Sequence, residues 1–482
     1  MTLKHKTFSA VRWTALSAVA RAVLQIVQVA VLARLLTPED YGLIAMVGVV
    51  ISFAGLFADL GVNSAFVQRQ DVTLEQRSSL FWFNVVLGAG VTFLVIAASP
   101  LLTWFFGDVR LTPLMMLSAS TFIIGSLGQQ VRMSAEKELD FRAIVVLEIS
   151  AATIGFVSAV LTAFLGWGVY SIVLGGIVSA IFGTAFAWMY LARGWRPMWR
   201  LRVEDVRPFF RFGGAMVANN IVNQVNLTID LFLGGRLLGA AQLGLYSVPR
   251  NLVLQLQMMV NPIITRVGFP LIAKVQNDVV RVRSIYLKTL NMTASTNAPL
   301  YVGIAVVAPE LVELVLGDRW QESVSMLHIL AVWGFFRSIG NPAGSLLFGM
   351  GRADLALKWN ATLLFIVPPV MWVGSQFGPA GLASALLAFS ILLYIPSWFF
   401  LIRPLCHAGI YEYSVAVLRP FLLALISMIP AYLVATQFNM VIARLFVTMI
   451  ISALLYLALS YKANPEWFAA MQELMGKKLA SV

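Results

Sequence analysis

Cysteine occurs once, at Cys406, and histidine three times, at His5, His328 and His407. A lone thiol makes no internal disulfide or CxxC metal site, and three scattered histidines build no catalytic or metal-binding cluster. Charge is scarce as well. Asp, Glu, Lys and Arg make up 12% of the 482 residues, against 60% that are hydrophobic. A water-soluble domain carries about a quarter charged residues, so that class is excluded. No Walker loop, HExxH helix or GxSxG elbow occurs. The long apolar runs also exclude an outer-membrane barrel, whose strands alternate over ~10 residues. No catalytic, metal or cofactor motif is therefore recognised in the sequence.

What fills the sequence is 14 apolar segments, centred near residues 24, 55, 92, 121, 155, 180, 222, 257, 296, 336, 365, 391, 427 and 453. Most approach the roughly 20 residues that cross a bilayer as a helix. The cations between them are not evenly spread. Of 34 Lys and Arg, 25 lie in the terminal tails or the even-numbered gaps, and five (Arg34, Arg110, Arg236, Arg319 and Arg444) in odd-numbered gaps. Cytoplasmic loops retain positive charge, so the pattern predicts about 14 transmembrane helices with both termini in the cytoplasm. It also accounts for the net charge of +12 without a nucleic-acid partner, since anionic headgroups attract cations on that face. The first segment contains Arg21, Gln25 and Gln28 and offers no convincing cleavage site, which makes it a retained helix rather than a signal peptide.

The longest cytoplasmic gap carries six Arg, at 193, 196, 200, 202, 207 and 211. It divides the chain into an N-lobe (1–200), a C-lobe (201–403) and a C-terminal helix pair with a tail (404–482). The two lobes echo each other. Arg34-Leu-Leu-Thr-Pro-Glu-Asp-Tyr-Gly42-Leu43 matches Arg236-Leu-Leu-Gly-Ala-Ala-Gln-Leu-Gly244-Leu245 at five of ten positions, 202 residues on. A six-helix repeat is even, so its two copies enter the membrane from the same side. They should be related by a pseudo-two-fold axis along the membrane normal. The last two segments read as an appended pair facing lipid or a partner helix.

Ionisable and amide groups at bilayer depth are costly and mark candidate sites. In the seventh segment Asn219, Asn223, Asn226 and Asp230 recur at helical spacing, with Asn220 and Gln224 beside them. Carboxamides offer both donors and acceptors and suit sugar hydroxyls; the competing role is interhelical hydrogen bonding. Four cations lie inside segments: Arg21, Arg250, Arg266 and Arg337. Arg337, with Asn341 one turn on, has no acid near its depth on its own segment, and a guanidinium fits phosphate oxygens bidentately. Arg250 and Asp230 sit at similar depth and are expected to pair, while Arg266 lies near a helix end. Asp59 and Asn63 form a smaller patch, in which Asp59 is either a coupling acid or a helix-end acid. Asn261-Pro262 and Asn341-Pro342 each set an amide beside a proline, which lets a helix bend.

Several motifs carry a resemblance to a known family. They are Ala33-Arg-Leu-Leu36 with Tyr41-Gly42, Asp59-Leu-Gly61 with Gln68-Arg69, and Gln129-Gln130 with Lys137-Glu-Leu-Asp-Phe141. The strongest are Asn261-Pro-Ile-Ile-Thr-Arg-Val267 followed by Phe269-Pro270, and Arg337-Ser-Ile-Gly-Asn-Pro342 leading to Gly344-Ser-Leu-Leu347. Over nearly its whole length the chain resembles the polysaccharide transporters of the multidrug/oligosaccharidyl-lipid/polysaccharide (MOP) exporter superfamily, in particular Wzx flippases of the colanic acid exporter type. The resemblance implies a multi-pass inner-membrane flippase. It would move an undecaprenyl-pyrophosphate-linked oligosaccharide from cytoplasmic to periplasmic leaflet by alternating access, for exopolysaccharide, capsule or lipopolysaccharide synthesis. Its partners would be that lipid-linked substrate, membrane lipids and the polymerase or export machinery of the same pathway. Arg337, Arg250, Arg21 and Arg266 are then candidates for the pyrophosphate. Asn219, Asn223, Asn226, Asn341, Asn261, Gln25 and Gln28 are candidates for the glycan, and Asp59 and Asp230 for coupling or structure. A cation-coupled drug antiporter of the same fold would favour midplane acids, and a membrane glycan polymerase would need a large periplasmic loop. Neither feature is prominent here.

Overall fold

Hydrocarbon offers no hydrogen-bond partners to a backbone, so a chain this apolar has to satisfy its amides within each segment. A computed structural model describes residues 3–59, 61–69 and 71–474, and every regular element among them is helical. In chain order the main helices are α1 (Leu3–Leu35), α2 (Pro38–Asp59), α3 (Val62–Gln68), α4 (Leu74–Phe106), α5 (Leu111–Lys137), α6 (Phe141–Phe164) and α7 (Tyr170–Phe186). There follow α8 (Val203–Lys274), α9 (Val279–Val306), α10 (Ser323–Ser338), α11 (Asn341–Gly349), α12 (Ala353–Ser375), α13 (Gly378–Leu392), α14 (Ile410–Ala435), α15 (Val441–Ala463) and α16 (Pro465–Leu474).

All 14 segment centres fall on helix. Among the described residues, however, eleven helices are long and apolar enough to cross a bilayer, or twelve if Val279–Val306 and the helix bent 75° from it form one span. Two local features separate this count from 14. The charged helix α1 is not among the eleven. The stretch Asn220–Pro262 counts once although it covers 43 residues, about twice what one crossing needs. Gly239, at φ 78° and ψ 174°, breaks that stretch into two helices. This backbone conformation lies outside the range of L side chains, which is why glycine stands there.

The chain divides into two compact units, Met1–Gly244 and Leu245–Val482. The division falls just past Gly239. In the first unit α4 packs along α5, α6 along α7, and α1 on α6. Small residues permit close approach. Gly155 and Gly175 face each other, and a Cβ on either would lie 2.7 Å from the other's carbonyl oxygen. The two related turns also meet inside this unit. A Cβ on Gly42 would lie 1.7 Å from the Ala240 oxygen, and a Cβ on Gly244 1.7 Å from the Pro38 oxygen. Pro38 and Ala240 stand 202 residues apart, as do Gly42 and Gly244, so the contact is reciprocal.

In the second unit α9 packs against α10 and α14, and α13 against α10 and α12. The C-terminal pair is not an appendage. Asn464, at the end of α15, donates from Nδ2 to the Ser295 hydroxyl at 2.7 Å, and its Oδ1 accepts from Asn291 Nδ2 at 2.9 Å. Arg419 Nη2 donates to the same Oδ1 at 2.8 Å, and the Tyr456 hydroxyl donates to the Ser295 carbonyl at 2.8 Å. The partner helix of α14 and α15 is therefore α9, and a buried polar network joins them.

Candidate functional site

α8 carries the amide-rich face in the first unit. Asn223 is exposed, Asn226 half-buried and Asp230 only 2% exposed. Gln224 donates from Nε2 to the Ser52 hydroxyl on α2 at 3.0 Å. The interleaved residues Val225, Thr228, Ile229 and Phe232 line an apolar cavity of about 440 Å³ together with Phe53 and Phe57 of α2 and Leu94 of α4. The helix thus presents amides on one side and a hydrocarbon-like hollow on the other, as helical spacing requires. The side chains of Asn219, Asp59 and Arg266 lie outside the described residues.

α1 holds the other first-unit candidates. Gln25 is exposed and Gln28 half-buried. Arg21 reaches Glu148 on α6, Nη1 to Oε2 at 3.3 Å, with the two side chains 50% and 34% exposed. Arg132 on α5 interacts electrostatically with the same carboxylate. Sequence reasoning did not single out Glu148 and counted Arg132 among the cytoplasmic cations. The signal for Glu148 was present, an acid inside the apolar run of α6 (Phe141–Phe164). A second cluster nearby is neutral and buried. Asn84 Nδ2 donates to Gln130 Oε1 at 3.3 Å and to Asn63 Oδ1 at 3.5 Å, which draws Asn63 away from the Asp59 patch and into helix packing.

In the second unit α10 carries Arg337 near its C-terminal end. Its guanidinium lies over the Trp333 ring, 5.4 Å from the centroid, and the side chain is half-buried. Asn341 opens α11 after a break in the helix and is exposed; Gln257 Nε2 approaches its Oδ1 at 3.4 Å. Arg250 is 5% exposed. Asn261, the other amide named for the glycan, packs between helices here. It is 1% exposed, donates from Nδ2 to the Ser338 carbonyl at 3.0 Å, and accepts from Asn297 Nδ2 at 2.9 Å. In this conformation its amide ties the α8 run to α9 and α10.

A second hollow, of about 360 Å³, opens in the first unit between α4, α5 and the residues after α7. Arg193 bridges Glu138 and Asp140 at its rim, and Arg77 stacks on Trp195, 4.0 Å from the ring centroid. The connection that follows is fastened to α4. Trp82 Nε1 donates to the Met198 carbonyl at 2.9 Å, and the Ser79 hydroxyl donates to Asp205 at 2.7 Å. That hydrogen bond, with Arg200 beside it, holds the Asp205 carboxyl below its ordinary range. Among the described residues no three His, Cys, Asp or Glu side chains are grouped as metal ligands.

Half-exposed guanidinium groups and amides within otherwise apolar helical units suit recognition of a polar, anionic molecule. A family model described as polysaccharide biosynthesis protein matches residues 31–325, more than half of the chain. The chain belongs to the polysaccharide biosynthesis protein family. It is 32% identical over 433 residues to the lipopolysaccharide biosynthesis protein WzxC of Escherichia coli (strain K12), covering 90% of this chain and 88% of that relative. It is 28% identical over 472 residues to the teichuronic acid biosynthesis protein TuaB of Bacillus subtilis (strain 168), covering 96% and 97%. Among solved structures it resembles the lipid II flippase MurJ in an inward closed conformation. The TM-score is 0.73 at 13% identity, over 95% of this chain and 99% of that one. That likeness establishes a shared fold. The resemblance read from the Asn261 and Arg337 motifs is borne out at the level of the family, which this chain shares with WzxC.

Proposed function

We propose that this protein is an inner-membrane flippase for a lipid-linked oligosaccharide. It moves an undecaprenyl-pyrophosphate-linked repeat unit from the cytoplasmic to the periplasmic leaflet by alternating access, and both its termini face the cytoplasm. The observation that carries the reading is the pairing of membership in a polysaccharide biosynthesis family with half-exposed cations inside apolar helices, Arg21 and Arg337 above all. A drug antiporter has less support, because the charge at these positions is predominantly positive and suits an anion.

Deletion of the gene followed by lipid extraction tests this. Accumulation of a lipid-linked oligosaccharide on the cytoplasmic leaflet is expected, and unchanged lipids with altered drug tolerance would overturn the reading. Within it, Arg337 is assigned to the pyrophosphate. Arg337→Ala should reduce polymer export at least tenfold at normal protein levels, as measured by surface polysaccharide per cell. Undiminished export would remove Arg337 from the site.

A further inference from the structure

Glu148 stands out as a carboxylate shared by two cations inside a membrane protein. It sits seven residues past the start of α6, about 10 Å along the helix axis, and Arg132 lies at a similar distance from the end of α5. Arg21 approaches the carboxylate from α1 and Arg132 interacts with it from α5. Among the described residues two guanidinium groups thus act on this one carboxylate. The fourth neighbouring helix, α7, makes room for it. A Cβ at Gly183 would lie 2.6 Å from Arg132 Nη2, so the guanidinium is seated against glycine backbone. Arg132 Nε is buried and has no hydrogen-bond partner among the described residues.

We propose that Arg21 and Arg132 form an anion site within the first unit and that Glu148 is its resident counter-ion, displaced when a lipid-borne diphosphate binds. The proposal rests on the flippase reading above. Three observations carry it. The first is exchangeability. Arg21 and Glu148 approach at 3.3 Å, and both side chains keep substantial exposure. A guanidinium gains hydrogen bonds when it trades such a contact for two phosphate oxygens. The second is stoichiometry, since two cations share one carboxylate and a diphosphate answers both. The third is the unmet Arg132 donor, which a phosphate oxygen is able to accept. In this arrangement the carboxylate occupies Arg21 while the site is empty, and the entering anion releases α6 from α1. The same carboxylate sets selectivity, because only a ligand of higher charge than a single carboxylate competes for Arg21.

The test is binding of undecaprenyl diphosphate to the purified full-length protein in detergent, with thermal unfolding measured in parallel. Glu148→Gln should bind about five- to tenfold tighter than the unsubstituted protein, and Arg21→Ala at least tenfold weaker. The double variant should be no tighter than Arg21→Ala alone, because the gain acts through Arg21. Glu148→Asp keeps the charge on a shorter side chain and guards against a folding defect in the glutamine variant. Its affinity should fall between that of Glu148→Gln and that of the unsubstituted protein. If the protein binds the diphosphate but both Glu148 variants bind it equally or more weakly, the counter-ion role is overturned while the flippase reading stands. If the unsubstituted protein binds no diphosphate, both fall together.

Discussion

Two of the polar clusters among these helices are built on opposite lines. The second unit's cluster of Asn291, Ser295, Asn464 and Arg419 is sealed: its Asn and Ser members are 0–4% exposed, and Arg419 donates into it. The first unit's cluster of Arg21, Glu148 and Arg132 is ionic and half-open, with one 3.3 Å ion pair recorded. Sealed amides in hydrocarbon join helices and have little capacity left for a ligand. An open ion pair contributes little to stability but leaves its charges reachable. Intramembrane polarity is thus not one signal. Exposure separates the groups that hold the bundle together from those that can receive a substrate.

The contrast is open to breaking in order of expected effect. Asn464→Leu strips partners from Asn291, Ser295 and Arg419 at once and should destabilise the protein by about 2 kcal/mol. Thermal unfolding in detergent measures this, and an unchanged midpoint would deny the network its structural role. Arg21→Ala should cost less than about 1 kcal/mol by the same assay, with export impaired. Unfolding as severe as in Asn464→Leu would place the ionic cluster among the structural ones. The smallest effect belongs to an ion pair outside the bilayer, which sets the scale. Asp108 accepts hydrogen bonds from the Arg110 side chain, and these hold its carboxyl below the ordinary range despite partial burial. Its folded-state value is depressed, so its contribution is present above the unfolded value near 3.9 and lost as pH falls through the folded one. Asp108→Asn should therefore shift stability by a few tenths of a kcal/mol at neutral pH and by nothing near pH 2, as read from melting at the two pH values.

Much of the architecture was legible in the sequence because lipid imposes it. Apolar length placed a helix at every expected centre, and the matched turns at Gly42 and Gly244 announced a repeat. Arg21, Arg337, Asn223 and Asn226 stood out as polar breaks in apolar runs, and the structure keeps each of them at least partly accessible. What the sequence hid depends on distance along the chain. Asn291 and Asn464 are 173 positions apart, and neither belongs to a periodic stripe. The partners of Asn261, Ser338 and Asn297, likewise belong to other helices. Arg132 was grouped with the loop cations because it lies within two turns of a helix end, where charge counting does not separate loop from span. The helix count differed for a local reason, since one glycine conformation at position 239 decides whether a 43-residue stretch is one crossing or two.

The reciprocal seating of Gly42 on Ala240 and Gly244 on Pro38 has a bearing on ancestry. Contacts in which position i meets j while j meets i are the mark of identical subunits around a two-fold axis. Here both sides belong to one polypeptide. It is the pattern that a half-length chain paired with its own copy would show. The closeness of the two backbones leaves no room for a side chain at either glycine.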